Sequence, residues 1–458
     1  MSDTTKLLLP LIEASQAQKH VTHNESLLTL DVVVQLGVLD RDLTAPPAGP
    51  ADGDTYVVAP PATDAWAGNE GNIASWQDGV WQFRVPRTGW IAWIADEAQL
   101  CAFDGAAWVS VGQGLATTDV TVFVAPDSGS AEAGDVIADI QAAIDSLERY
   151  RFGSGARGLV KLRDGIFPIS VPLRVTHPQA DRIELQAQNA PSTLAKSDFN
   201  GTLNDDETAL RSRYPCVIEC QDCSGVEQPA AGIGLTVRDL AFIRTSGSST
   251  QSGYLCYGRG AFSRCAFFGF TYGIQARDMG QIAGVDGVVV LHSSNTAVYA
   301  IGDANINVDD GGGEPFLLGY SGNYHAWANE KSSITLTGGG SSHAWNTGSY
   351  GFNAQDRSNL KVRDFVVDAI GSRAFYGLYG SYVYAEDITL NGHVNYAGQF
   401  RYGTVAYVRN ITIDAALGAT EKTIFADYNS HITEQGTNLN ATFNPSVGTS
   451  GNKSSSVV

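Results

Sequence analysis

The sequence predicts a mainly β protein in which a parallel β-helix follows a small, tryptophan-rich antiparallel β-domain with one helix. Glycine is abundant, at 50 of 458 residues, and charged residues make up only 17%. This composition suits short strands and tight turns better than helix bundles. Three similar segments also recur at a constant step near the end of the chain, and six of the eight tryptophans lie near its start.

The three segments are "VRDFVVD", "AEDITLN" and "VRNITID", and each begins 23 residues after the one before. A fixed period is typical of a solenoid, in which each repeat buries its apolar face against the next. A period near 23 with strand-like residues predicts one turn of a parallel β-helix per repeat, with successive strands about 4.8 Å apart. The aligned inward positions are Val362, Ala385 and Val408; Phe365, Ile388 and Ile411; and Val367, Leu390 and Ile413.

The polar residues of the repeat align as well. Asp364, Asp387 and Asn410 occupy a position suited to a bend, and Arg363, Glu386 and Arg409 would alternate in sign along the outside. The same pattern recurs upstream in "VRDLAF" (237–242) and "FSRCAF" (262–267), which places Cys265 in an inward row. A sandwich of ordinary hairpins is the alternative fold, but hairpins have no reason to keep a constant step with matched polar residues.

Charge and hydropathy exclude several classes of partner. The formal net charge of −19 makes nucleic acid an unfavourable partner and disfavours polyanionic ligands unless local arginines offset the field. No stretch approaches the roughly 20 apolar residues of a membrane span. The apolar run at residues 7–12 is too short for a signal-peptide core, so we expect synthesis in the cytoplasm without a signal peptide and no membrane insertion.

Neither the cysteines nor the first histidines predict a metal site. Cys216, Cys220 and Cys223 are clustered, but the paired spacing and nearby histidines of a zinc site are missing, which favours buried thiols. His20 and His23 form a weak HxxH pattern that we interpret as polar contacts of a first helical turn. We expect no metal and no cofactor.

The first 112 residues predict a separate domain. Thr22 and Glu25 form a capping box before an apolar run, which predicts a buried helix. Short strands separated by turn signals follow, and they carry Trp66, Trp76, Trp81, Trp90, Trp93 and Trp108. We interpret these tryptophans as core rather than as an exposed sugar platform, because a small domain needs large side chains to bury enough area.

Composition suggests the remaining boundaries. Residues 113–130 are predicted to be a linker, and residues 131–435 the β-helix, which opens with a helix in "DVIADIQAAIDSLERY". Residues 436–458 are rich in Ser, Gly and Asn and predict a flexible tail.

The start of the second region resembles the first turns of the pectate-lyase-like right-handed β-helices of phage tailspikes. A short helix precedes a "G-x-V-x-L-x-x-G-x-x-x-I-S-x-P-L" run. The matching residues are Gly158, Val160, Leu162, Gly165, Ile169, Ser170, Pro172 and Leu173. The resemblance covers about 40 residues and implies a right-handed β-helix.

The run "QAQKHVTHNE" and the strands after it resemble an N-terminal domain of phage and gene-transfer-agent tail, fibre and spike proteins. Together, the two resemblances are most similar to head-spike proteins of gene transfer agents. They imply a homotrimeric spike on the surface of a virion or phage-like particle. Its N-terminal domain would dock on a capsid or tail protein, and its β-helix would bind host capsular polysaccharide.

Aromatic residues supply the candidate glycan site, since sugar rings stack on them. "YHAWAN" and "SHAWNT" share His-Ala-Trp 18 residues apart and contain the two tryptophans outside the first domain. The predicted glycan-binding residues are Tyr320, Tyr324, His325, Trp327, His343, Trp345 and Tyr350. The alternative is a pair of stacked wall residues in neighbouring turns.

Catalysis would require paired carboxylates. The candidates are Asp309, Asp310 and Glu314 in "DDGGGEP", where glycines let a loop project its acids; an acidic turn is the alternative. Three functions therefore stay open: a glycan-binding spike without enzymatic activity, a capsule depolymerase of the glycosidase or lyase type, and a structural connector. The first is favoured because no pair of acids stands out.

Overall fold

The computed structural model describes most of the chain. The described residues are 19–111, 114–229, 234–247, 250–309, 314–339, 342–392, 395–414, 423–426, 429–435 and 440–443. The chain forms two compact units: residues 1–116 with 149–151, and residues 117–148 with 152–458. Among the described residues, no helix is both long and apolar enough to cross a membrane.

The amino-terminal unit combines one helix with small sheets. Its elements are α1 (Lys19–Val33), β1 (Leu36–Val38), β2 (Thr55–Val57), β3 (Ile73–Gln77), β4 (Val80–Arg84), β5 (Ile91–Ile94), β6 (Gln99–Phe103), β7 (Trp108–Ser110) and β8 (Gly114–Ala116). Strands β2, β3 and β4 form an antiparallel sheet, as do β5, β6 and β7, and β1 adds to β5 in parallel. Helix α1 begins three residues before Thr22, so Thr22 does not cap it.

Most of the tryptophans of this unit pack inside it, as predicted. Trp66 and Trp108 are buried, and Trp81 and Trp90 pack against the two apolar clusters. Trp66 and Trp81 meet edge to face, with ring centroids 5.2 Å apart. Trp93 differs, since 47% of its surface is exposed.

The second unit is a parallel β-solenoid with two helices, α2 (Ile140–Ser146) and α3 (Leu203–Arg213). Its strands are β9 (Val120–Ala125), β10 (Val136–Ile137), β11 (Tyr150–Phe152), β12 (Gly158–Leu162), β13 (Gly165–Ile169), β14 (Ile183–Ala187), β15 (Cys216–Gln221), β16 (Val226–Gln228), β17 (Thr236–Arg238), β18 (Ala241–Ser246), β19 (Ser252–Cys256), β20 (Arg259–Phe268), β21 (Tyr272–Arg277), β22 (Gln281–Leu291), β23 (Thr296–Ile301), β24 (Asn305–Asp309), β25 (Leu317–Ser321), β26 (Tyr324–Ala328), β27 (Ser333–Thr337), β28 (His343–Thr347), β29 (Tyr350–Ala354), β30 (Asn359–Ile370), β31 (Arg373–Gly377), β32 (Tyr382–Leu390), β33 (Tyr396–Phe400), β34 (Val405–Ile413), β35 (Thr423–Ala426), β36 (His431–Gln435) and β37 (Asn440–Phe443).

Three parallel sheets form the wall of the solenoid. Sheet A contains β9, β12, β14, β17, β24, β27 and β36, together with the first halves of β20, β22, β30, β32 and β34. Sheet B contains β13, β15, β18, β25 and β28, together with the second halves of those five long strands. Sheet C contains β16, β19, β21, β23, β26, β29, β31, β33, β35 and β37. The predicted mainly-β parallel β-helix is therefore confirmed.

The repeat positions stack as predicted. Phe365 pairs with Ile388, and Ile388 pairs with Ile411, in register on successive turns. Their exposures are 2%, 1% and 2%, so the row lies in the interior. Upstream, Phe242 pairs with Phe267, and Cys265 is buried in the predicted inward row.

The bends between sheets A and B use residues that tolerate a left-handed backbone. Asp364, Asp387 and Asn410 have φ values of 57°, 55° and 51°. Asn and Asp visit this region more readily than most residues because their side chains bond locally. The amide of Asn410 also donates to Asp387 on the preceding turn at 2.8 Å, so the bend residues form a ladder of their own.

The predicted charge row is present on the outside of sheet A. Glu386 pairs in register with Arg363 on one side and Arg409 on the other. Arg409 donates to Glu386 at 2.9 Å, and Arg363 lies 3.7 Å from the same carboxylate. These half-exposed pairs each contribute at most about 1 kcal/mol.

Strands also occur in the segments predicted as linker and tail. Strand β9 pairs with β12 inside sheet A, although residues 113–130 were predicted to be a linker. Strand β37 pairs with β35 in sheet C, within residues 436–458. Sheet pairing therefore extends past both predicted limits, because composition alone does not reveal a short strand that completes an existing ladder.

One prediction tests the interior row. Replacing Ile388 with Ala should lower the free energy of unfolding by about 2–4 kcal/mol, since a buried side chain leaves a cavity. Thr389 is the matched control, because it is the next residue and points outward; Thr389→Ala should cost under about 1 kcal/mol. Urea unfolding measures both, and equal losses would contradict the inward placement of Ile388.

Candidate functional site

Sheet C carries aromatic side chains on its outer face. In its five-residue strands β26, β29, β31 and β33, the first and fourth positions are the least buried, whereas the third and fifth point inward. Tyr324, Tyr350, Arg373 and Tyr396 pair in register at the first position. Trp327 and Tyr376 lie in the fourth-position row. Parallel pairing thus places side chains from distant parts of the sequence in one row.

The rings form a continuous series that we call the aromatic strip. Its members are Tyr272, Tyr299, Trp327, Tyr324, Tyr350, Tyr376 and Tyr396. Neighbouring ring centroids from Tyr272 to Tyr376 are 5.1, 4.8, 4.9, 5.5 and 4.9 Å apart, with planes 11–32° from parallel. The strip crosses six strands, which corresponds to roughly 24 Å at the parallel-strand spacing.

The strip leaves ring surface open to a ligand. Its centroid separations exceed the roughly 3.5–4.0 Å contact distance of carbon atoms, so the rings overlap only partly. Tyr299 is buried, but the other rings are partly exposed. A rigid, amphipathic surface of this kind suits the apolar faces and hydroxyl edges of sugar rings.

The tyrosine hydroxyls stay protonated at neutral pH. Burial raises the pKa of Tyr299 to about 12, and burial also raises the pKa values of Tyr324 and Tyr376. A neutral phenol can both donate and accept a hydrogen bond. The strip therefore offers hydroxyl groups in the form that bonds to sugar hydroxyls.

Charge on sheet C differs from charge on the rest of the protein. Strands β19, β21, β23, β26, β29, β31, β33 and β35 contain no Asp or Glu, in a chain with 48 acids. Arg373 lies over three rings of the strip, 5.3 Å from Tyr350, 5.2 Å from Tyr376 and 5.9 Å from Tyr396. Such cation–π contacts order the rings.

One edge of sheet C carries neutral polar groups. Asn323 donates to Asn295 on the preceding turn at 3.3 Å, and Asn395 donates to Ser372 at 3.2 Å. These residues lie in the turns that lead from sheet B into sheet C. Amide and hydroxyl groups beside aromatic rings are typical of sugar-binding surfaces.

The structure divides the predicted glycan-binding residues among three environments. Tyr324, Trp327 and Tyr350 lie together in the strip. His325 points into the solenoid, where Ser321 lies 3.2 Å from its Nδ1 and burial lowers its pKa to about 3. It follows Tyr324 in a strand whose second and third residues are both buried, which a simple alternation does not predict.

Tyr320, His343 and Trp345 lie on sheet B instead. Trp345 is only 2% exposed, and His343 is partly exposed at the first position of β28. The two His-Ala-Trp segments therefore face different directions, and the tryptophans do not stack on each other as wall residues. Tyr320 and Trp345 meet edge to face at 5.9 Å.

Residues 188–215, which we call the excursion, cover this part of sheet B. They join β14 to β15 and contain α3. Leu194, Phe199 and Leu210 pack against Trp345 and the outer residues of sheet B in one apolar cluster. Tyr320 and Trp345 thus contribute to packing rather than to an open surface.

A buried polar network anchors the excursion. Asp206 is fully buried and accepts the backbone N–H groups of Asn200 at 2.8 Å and Gly201 at 3.1 Å. His292 Nε2 lies 2.7 Å from the same carboxylate, and its ring stacks on Tyr320 at 4.7 Å.

The structure does not show the predicted catalytic residues as a pair. Asp309 is exposed at the end of β24 in sheet A. Glu314 precedes sheet B and accepts a hydrogen bond from Thr193 of the excursion at 2.7 Å. Asp310 lies outside the described residues. The alternative of an acidic turn is compatible with this arrangement.

The other members of the strip were not identified from the sequence. Tyr272, Tyr299, Tyr376 and Tyr396 are separated by 20 to 50 residues, and no local motif marks them. Their signal is positional, because each lies at the first or fourth residue after the turn into sheet C. An alignment of the third strand of every repeat would have found them.

The described cysteines are buried and unreactive in character. Burial raises the pKa values of Cys216, Cys256 and Cys265 to about 12. In the amino-terminal unit the carboxylates of Asp40, Asp42 and Asp96 lie within 4.8 Å of one another. Asp40 already accepts the backbone N–H groups of Asp42 and Leu43, and we assign no ion to this cluster.

Comparison with known proteins identifies a shared first domain. A family described as a protein of unknown function (DUF2793) matches residues 23–109, within the amino-terminal unit. No curated protein matches the chain.

Solved structures give two distant similarities. The catalytic unit of a thermostable GH87 α-1,3-glucanase from Streptomyces thermodiastaticus strain HF3-3 is 12% identical, over 73% of this chain and 71% of that chain, with a TM-score of 0.31. ORF18 of Geobacillus virus E2 is 11% identical, over 89% and 75%, with a TM-score of 0.30. At these TM-scores neither similarity bears on the fold assignment, which rests on strand register.

The excursion supplies a second prediction. Asp206→Ala leaves two buried N–H groups without an acceptor, which should cost about 2–4 kcal/mol and release residues 188–215. Limited proteolysis should then cleave within the excursion and leave the solenoid intact. Asp205→Ala is the control, because this neighbouring acid is exposed. Equal resistance of both variants to cleavage would contradict the anchoring role of Asp206.

His325 predicts a pH dependence of stability. Its pKa is about 3 in the folded state and about 6.5 in the unfolded chain, so only the unfolded state binds the proton between these values. Its contribution to stability should fall by roughly 1.4 kcal/mol per pH unit as pH decreases from 6.5 toward 3. Urea unfolding of the wild type and His325→Leu at pH 7 and pH 5 measures this; parallel losses would refute it.

Proposed function

We propose that the protein is a spike or fibre of a phage-like particle that binds host capsular polysaccharide through the aromatic strip. The single observation that carries this proposal is the continuity of the strip across six strands of a rigid wall. A long polymer can contact several rings at once, and many weak contacts on a preorganised surface add up to useful affinity.

The remaining parts of the proposal follow the resemblance to gene-transfer-agent head spikes. The amino-terminal unit would dock on a capsid or tail protein, and three copies of the chain would form the spike on the particle surface. Trimerisation multiplies the number of strips, which raises avidity without a stronger single site. The chain would be synthesised in the cytoplasm and reach the outside as part of the particle.

The test compares two tyrosine pairs of the same geometry. Tyr324→Ala with Tyr350→Ala removes two rings of the strip, whose centroids are 5.5 Å apart. Tyr384→Ala with Tyr407→Ala removes a stacked pair at 5.1 Å on sheet A and is the matched control. Retention of purified bacterial capsular polysaccharides on immobilised protein should fall at least about 10-fold for the strip variant, if each lost ring contributes about 1 kcal/mol.

The outcomes separate the candidate functions. A loss of retention in the control pair alone would move the site to sheet A. No retention of any polysaccharide by the wild-type protein would favour a structural connector. Polymer length is followed in the same experiment, and shortening over hours would favour the depolymerase.

A further inference from the structure

A groove opens at the first end of the aromatic strip. Its volume is about 480 Å³, and its wall includes Tyr272 and Tyr299, the first two rings of the strip. The other lining residues that matter here are Glu227, Gln275 and Arg277. The groove is therefore a widening of the proposed glycan surface rather than a separate cavity.

Arg277 is the uncommitted charge of this groove. It is exposed at the end of β21 and, within the described part of the chain, forms no ion pair, although Asp278 is the next residue. Glu227 carries the opposite charge, but Arg174 donates to it at 2.8 Å and offsets it. The groove thus presents one free guanidinium in a protein whose net charge is −19.

We infer that the groove binds a carboxylate-bearing sugar unit of the polysaccharide, with Arg277 on the carboxylate and the ring against Tyr272 and Tyr299. The inference rests on the proposed function and names its ligand class. A planar guanidinium matches a carboxylate through two parallel hydrogen bonds, which a neutral sugar cannot accept in the same way. The stacked tyrosines supply the apolar face that a sugar ring requires.

The overall negative charge does not prevent this contact. At physiological ionic strength, exposed charges more than about 8 Å apart are largely screened. The nearest strands of sheet C carry no carboxylate after Glu227, so the ligand meets Arg277 before it meets a distant acid. The attraction is local and should weaken when salt is added.

The test uses the full-length protein and a panel of purified bacterial capsular polysaccharides, half acidic and half neutral. Each retained acidic polysaccharide is also presented after chemical reduction of its carboxylates to alcohols, which keeps the sugar backbone. The variants are Arg277→Gln and Arg277→Lys. Arg87→Gln in the amino-terminal unit is the control with the same change in net charge, since Arg87 is also exposed.

The expected result is retention of acidic polysaccharides, with at least a 10-fold loss on carboxylate reduction or on Arg277→Gln, partial recovery with Arg277→Lys, and no loss with Arg87→Gln. Retention of neutral polysaccharides only, or retention unchanged by carboxylate reduction, would overturn the inference and leave the proposed function standing. An equal loss in Arg277→Gln and Arg87→Gln would show a general charge effect and would also overturn it. Retention of no polysaccharide would overturn both proposals.

Discussion

The backbone hydrogen bonds between successive turns determine everything else in the second unit. Parallel pairing fixes which residue of one turn lies above which residue of the next, at a spacing of about 4.8 Å. A slip of one residue would turn Phe365, Ile388 and Ile411 from the interior to the surface. Register is therefore the constraint on which the core, the bends and the aromatic strip all depend.

Register converts each repeat position into a ladder with one chemical character. The interior ladder is apolar, the bend ladder uses Asp and Asn at positive φ, and the outer row of sheet A alternates in charge. The strip on sheet C follows from the same rule, because its rings occupy corresponding positions of successive strands. A ligand would meet rings that the fold has already ordered, so little conformational entropy is lost on binding.

The sequence carried the solenoid but only part of the site. The 23-residue step predicted the interior row because Phe365, Ile388 and Ile411 share a short, regular spacing. It could not predict that Trp345 is covered, since that contact involves Phe199, 146 residues earlier. His325 was misplaced for a different reason: two consecutive buried residues in β26 break the alternation on which side-chain direction is inferred. Trp327, two residues later, does lie in the strip.

Disulfide cross-linking across turns measures the register most directly. Val366 pairs with Thr389, and Thr389 pairs with Thr412, while the six native cysteines are buried. Mild oxidation of a Val366→Cys, Thr389→Cys variant should form a disulfide, because paired positions lie within the 4.4–6.8 Å range of Cα separations that a disulfide spans. Val366→Cys with Thr412→Cys, two turns apart, should stay reduced. Absence of the first cross-link, or equal formation of both, would contradict the stacked register.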